Sequence, residues 1–167
     1  MVRKIFEGFS GTALILASAV SIFAAGQEEA AIERLLKAHA GAVNEFPKTK
    51  ELRSILRFFT TDYTGVTDGA RKTLKDVEID LLQWEAKIDE GERLGISYRV
   101  RNIKVQMLTD TSAWSTYDFA LTIGTAGQLL EEGQGRCTAI VKKVAAEWLI
   151  QHSHCSTLEM EGTQSEL

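Results

Sequence analysis

Residues 95–109 read GISYRVRNIKVQMLT, and the spacing within them decides the architecture. Ile96, Tyr98 and Val100 alternate with polar residues, then Ile103, Val105 and Met107 alternate in the opposite phase. A period of two belongs to a strand with one buried face. The change of phase calls for an extra residue, so a bulge is expected near Arg101 and Asn102, and a bulge bends the sheet that carries it.

Further along, Thr109-Asp110-Thr111 turns the chain. The next run sets Tyr117, Phe119, Leu121 and Ile123 on an apolar face, against Trp114, Thr116, Asp118 and Thr122 on the other. A third strand is expected from about Leu130 to Lys143 and a fourth from Glu147 to about Thr157. The connections are short, so neighbouring strands run antiparallel.

Before residue 95 the apolar spacing is helical. Ile32, Leu35, Leu36, Val43 and Phe46 form one stripe from Gln27 onward, with His39 in it, and Pro47, the only proline, is expected to stop that helix. Leu52, Ile55, Leu56 and Phe59 predict a second helix, with Thr49 as its N-cap and its end near Thr60. An extended piece around Tyr63 to Val66 and turn chemistry at Asp68-Gly69 come next. A third helix then shows Ala70, Leu74, Val77, Leu81, Trp84 and Ile88 on one face, with Gly91 placed to end it. The fold class is therefore α+β, with three N-terminal helices packed in a strongly curved, mainly antiparallel sheet.

With 167 residues, 44% of them hydrophobic, the chain can bury one core but is short for two. A formal charge of -4, with lysines and arginines interspersed among acids, gives no basic field for a phosphate backbone, and no nucleic-acid partner is expected. Arg3 and Lys4, an apolar run from Thr12 to Ala25, and then Gln27, Glu28 and Glu29 follow the plan of a cleavable export signal over residues 1–26, with Ala24 and Gly26 as the small residues at the junction. That run falls short of the roughly 20 residues that cross a bilayer. A periplasmic or secreted protein without stable membrane insertion is expected, in a compartment that permits disulfides.

Cys137 and Cys155 are candidates for one disulfide. They lie on adjacent strands of one hairpin, and a connection over Val144 to Ala146 would put them on the same face, displaced by one side-chain step. In the last strand His152 and His154 share a face, a spacing that suits zinc or copper. The set is incomplete, since the one other histidine, His39, is on the helical stripe and Cys155 has the opposite parity. Neither a metal nor a cofactor is expected. Parity also separates His154 from the Cys155 thiol, which argues against a nucleophilic pair.

The segment FFTTDYTGVTDG (58–69), the run DTSAWSTYDFALTI (110–123) and the ending GRCTAIVKKVAAEWLIQHSHCS (135–156), with Trp148, Ile150, His152, His154 and Ser156 in sequence, resemble the SnoaL-like branch of the nuclear transport factor 2-like superfamily. They are also similar to the association domain of calcium/calmodulin-dependent protein kinase II. The resemblance covers residues 27–157 and leaves 158–167 as a polar tail. It implies a cystatin-like, cone-shaped α+β barrel with a pocket between sheet and helices, and dimerisation through the outer face of the sheet. Some members carry isomerase, cyclase, dehydratase or epoxide-hydrolase chemistry, whereas others act as binding or oligomerisation modules.

Enolisation in such a pocket would need a carboxylate base and a donor for the developing oxyanion. Asp62 and Tyr63 are the catalytic candidates, and His39, Tyr63, Tyr98, Tyr117 and Phe119 are the candidate pocket lining. Tyr117 and Asp118 face apart and cannot act as a pair. Acids are scarce on the apolar-face positions, which favours a binding or interaction module over an enzyme: an exported protein, dimeric through its sheet, with an apolar cavity that holds a small apolar ligand or nothing. The alternative is a metal-independent enzyme that acts on a small hydrophobic or carbonyl-containing substrate by acid-base chemistry.

Overall fold

A computed structural model describes residues 12–90, 93–125 and 128–158, with side-chain surroundings from Gly26 onward. Residues 1–11 of the expected export signal, the expected terminator Gly91 and the tail after Leu158 lie outside the described residues. Among those described, no helix is long and apolar enough to cross a membrane.

Helix α1 (Thr12–Thr49) buries Ile32, Leu36, Ala40 and Phe46, which lie along one side of a 3.6-residue period. It runs through Pro47 instead of stopping before it. The proline leaves the Val43 carbonyl without its helical partner and crowds it, but it falls in the last turn, so little helix remains beyond it to be disrupted. The helix then closes at Lys50, which takes a left-handed conformation (φ 55°) and donates its N–H to the Phe46 carbonyl at 2.8 Å. Keeping that last turn also seats Phe46, which is fully buried against Ile55 and Leu81.

Helix α2 (Leu52–Leu56) is shorter than its apolar spacing suggests, and its N-cap is Glu51. Phe59 leaves the helical stripe to open strand β1 (Phe59–Thr67), because Ile150 offers it a parallel neighbour and donates its N–H to the Phe58 carbonyl at 2.8 Å. Asp68 and Gly69 both have positive φ (48° and 84°) and close a two-residue hairpin to β2 (Ala70–Thr73). Ala70 is therefore a strand residue, and the third helix begins later. Thr73 and Asp76 form a capping box that starts α3 (Leu74–Asp89).

Strands β3 (Gly95–Thr109), β4 (Ser112–Thr125), β5 (Gln128–Val144) and β6 (Glu147–Thr157) form the expected antiparallel meander. The β1–β2 hairpin extends it to six strands, in the order β2-β1-β6-β5-β4-β3. The helices thus do not all precede the sheet, and β1 and β6 pair in parallel. The sheet is open, with β2 and β3 as its edges, so it is not a closed barrel.

Of the register shifts along its described strands, two place the residues of the concave face. The first is at Arg101–Lys104, where Asn102 has φ 53°, as the phase change in the sequence indicates. The second, at Gln151, had no such signal: Val141 pairs with Ile150, yet Ile140 pairs with His152. Together with a two-residue turn at Ala145 and Ala146, that extra residue brings Cys137 directly opposite Cys155, with no side-chain step between them. The two are joined as a disulfide, with Cα atoms 4.1 Å apart.

Helix α1 packs across the concave face, where Ile32 and Leu36 meet Ala113, Tyr117, Ala139, Val141 and Ile150. Its described N-terminal part is tied to the β5–β6 hairpin through Glu28, which accepts from Lys143 Nζ and from Trp148 Nε1, each at 2.6 Å. Towards its C-terminal end, Asn44 donates to the Tyr98 carbonyl (2.9 Å) and accepts from the Tyr98 N–H (2.6 Å). One side-chain amide thereby occupies both backbone groups of Tyr98 on the edge strand β3.

Two stability outcomes follow from these ties. Cys155→Ser, compared with wild type by urea unfolding under oxidising conditions, should lose ~3 kcal/mol, because the bond closes an 18-residue loop; dithiothreitol should then lower only the wild type. Asn44→Ala should cost about 1–3 kcal/mol by the same measurement, since it strands two backbone groups at a partly buried edge.

Candidate functional site

Strand parity brings the aromatic candidates together on the concave side. Tyr117 and Phe119 project from β4, Tyr98 from β3, Tyr63 from β1, and His39 comes from the middle of α1. His39 is enclosed edge-on by Phe58, Phe59 and Tyr98, with ring centroids 5.7, 5.1 and 6.0 Å away. Among the described residues neither of its ring nitrogens has a hydrogen-bond partner. His39 and Tyr98 are each partly buried.

Burial governs the charge of this cluster. It pulls the His39 pKa down to about 4 and pushes Tyr98 up to about 12, with the neighbouring Tyr117 hydroxyl offsetting part of the latter. Tyr117 is raised well above the usual tyrosine value, chiefly by burial and then by the adjacent Tyr98. Tyr63 is also raised by burial, and its hydroxyl is committed to Ser153 Oγ at 2.7 Å. Its ring lies flat along the sheet because Gly65 has no side chain: a Cβ there would stand 2.5 Å from the Tyr63 hydroxyl.

Asp62 does not join the cluster. It is exposed on the face of β1 opposite Tyr63 and accepts from Gln151 Nε2 at 3.0 Å. Its carboxyl is held below the ordinary range by the Thr60 hydroxyl, which is within reach but outside hydrogen-bond geometry, and by Gln151. A base in a pocket would need the opposite shift. The nearest acid by register on the concave face is Glu131, opposite Ile123, and it is exposed.

His152 and His154 share the convex face, where His152 Nδ1 meets Thr64 Oγ1 at 2.8 Å. Among the described residues no group of three or more histidines, cysteines or acids gathers around them. Ser153 and Asn44 both hold cluster residues in place, and neither stood out in the sequence. Ser153 turns inward only because of the bulge at Gln151, which leaves no compositional trace. Asn44 is a polar residue beside the α1 stripe, and nothing local marks its partner 54 positions away.

Known structures share this architecture. A ketosteroid isomerase-like protein from Erwinia carotovora atroseptica is 14% identical, with a TM-score of 0.57 over 80% of this chain and 98% of that one. A candidate scytalone dehydratase from Novosphingobium aromaticivorans is 18% identical, with a TM-score of 0.66 over 82% and 88%. An NTF2-like protein with a cystatin-like fold from the same organism is 11% identical, with a TM-score of 0.64 over 92% and 95%. At such identities the likeness is one of fold. No functionally curated sequence matches significantly. The SnoaL-like domain family matches residues 42–160, most of the chain and all of its described sheet, so the protein belongs to the SnoaL-like domain family within the NTF2-like superfamily.

Proposed function

We propose that the protein binds a small, uncharged, largely apolar molecule between α1 and the concave face of the sheet. The observation that carries this reading is the neutrality of the cluster: near pH 7 His39 and the three tyrosines all lack charge. An ionic ligand would lose its hydration there with no counter-charge to meet it. A neutral ligand needs only shape and one or two polar anchors, which the His39 nitrogens and the Tyr98 and Tyr117 hydroxyls supply. Partial exposure of His39 and Tyr98 supports access for such a ligand.

Catalysis is the second reading: a neutral imidazole stands edge-on to the Tyr98 ring, and two proteins of this fold are named for dehydratase and isomerase chemistry. A base with a pKa of about 4 is nevertheless weak at neutral pH, which puts binding first. For the assembly we infer a homodimer through the convex face, where Trp114 and Ile140 stand side by side and half-exposed. The disulfide supports export to an oxidising compartment.

The binding test compares 2-naphthol, naphthalene and 2-naphthoate by fluorescence titration. The neutral pair should bind and the anion should not, and Tyr98→Phe should weaken 2-naphthol by about fivefold to tenfold while leaving naphthalene unchanged. Equal binding of 2-naphthoate, or no binding of either neutral probe, would sink the proposal.

His39 makes a separate, signed expectation. Its folded pKa lies below its unfolded value of about 6.5, so the unfolded chain takes up its proton first. Stability should fall as pH drops from about 6.5 to about 4, by up to about 3 kcal/mol, and His39→Leu should remove that part of the slope in urea unfolding. In sedimentation velocity the wild type should run as a dimer and Ile140→Glu as a folded monomer.

A further inference from the structure

The convex face carries a second constellation, built around Asp118. Asn102 Nδ2 donates to one carboxylate oxygen at 2.7 Å, and Arg136 Nε donates to the other at 2.9 Å. Both oxygens are thus engaged, and Arg136 keeps its two terminal amino groups for other acceptors. Across the register, Arg99 stands opposite Ala120, Arg101 opposite Asp118, and Lys104 opposite Thr116.

Ala120 and Thr116 are small, so the cations of β3 and Arg136 of β5 rise around a low floor on β4. Two recesses open there. One of about 450 Å³ is lined by Lys104, Thr116 and Arg136, the other of about 280 Å³ by Arg99, Arg101 and Gln134, and Asn102 and Asp118 border both.

Edge protection explains part of this. β3 is an edge strand, and charges and a bulge discourage another chain from pairing with it. That does not account for Arg136, which sits on β5 inside the sheet, nor for a carboxylate used to orient it. Four cations surround one carboxylate in a chain whose formal charge is -4. Among the described residues, Arg99, Arg101 and Lys104 have no acidic partner.

We propose that this face binds a tetrahedral oxyanion, the phosphate or sulfate group of a small molecule. The larger recess offers a guanidinium fork, a point charge and a hydroxyl, which together suit a dianion with three acceptor oxygens. The recess opens to solvent, which leaves room for the organic part of an ester. The site lies across the sheet from the neutral cluster and does not depend on what binds there; Asp118 and Arg136 stand four residues along β4 and β5 from Trp114 and Ile140, so it occupies the end of the convex face away from the pair on which the dimer is centred.

The test is a backbone-amide NMR titration of the folded protein at low ionic strength. Inorganic phosphate is added first, then phenyl phosphate, with chloride at matched ionic strength as control. Saturable shifts confined to the strands around Lys104, Thr116, Asp118 and Arg136 are expected, with phenyl phosphate binding more tightly. Lys104→Gln and Arg136→Ala should each weaken binding by about tenfold, and Lys104, which is exposed, gives the same reading if the arginine variant does not fold.

Asp118→Asn is the decisive variant. Loss of the group that orients Arg136 should weaken binding, whereas a merely diffuse positive field would bind anions more tightly once the negative charge is gone. Tightening in that variant would overturn the site, as would shifts no different from those with chloride together with no binding to phosphatidic-acid vesicles. Co-sedimentation with phosphatidic-acid vesicles distinguishes the source. Binding to vesicles but not to phenyl phosphate would assign the group to a lipid headgroup, and binding to neither would overturn the proposal.

Discussion

The apolar stripe of α1 against the concave face of the sheet is the packing on which the rest of the molecule depends. Ile32 and Leu36 bury against Ala113, Tyr117, Val141 and Ile150, residues from three strands that only a bent sheet presents to one helix. Fully burying a leucine or isoleucine side chain contributes about 1.5–3 kcal/mol. Polar ties at two points fix how the helix crosses: Glu28 engages the β5–β6 hairpin, and Asn44 engages the β3 edge. The second tie holds Tyr98 to the same helix that carries His39.

Register is the second constraint, because in a strand a slip of one residue exchanges the two faces. The bulge at Arg101–Lys104 keeps Tyr98 and Val105 on the same side of β3 although they stand an odd number of positions apart. The bulge at Gln151 does the same for Ile150 and Ser153, and so provides Tyr63 with a hydroxyl partner and Cys137 with its disulfide partner. A bulge costs ladder hydrogen bonds, and here each one sits next to a residue of the aromatic cluster.

The two faces of the sheet come out chemically opposed. Burial removes charge from the concave side, leaving imidazole and phenols neutral. The convex side keeps its charges in water, where hydrogen bonds from Asn102 and then Arg136 hold Asp118 ionised below the usual carboxylate range. The difference arises from solvation, because the same strands supply both faces in alternation.

What the sequence determined by itself is whatever depends on neighbours close along the chain. The periods of two and 3.6, the phase change at Arg101–Asn102, the turn at Asp68-Gly69 and the convergence of Tyr98, Tyr117 and Phe119 on one apolar face are all local patterns. Tertiary structure decided which elements pair. Phe59 and Ala70 fit a helical stripe, yet they became strand residues because β6 offered β1 a parallel neighbour and β2 completed the hairpin. It decided as well that Asp62 faces water, that Ser153 faces inward and that Arg136 meets Asp118, since a strand partner is chosen by burial and hydrogen bonding across long separations. Local spacing carries no record of that choice.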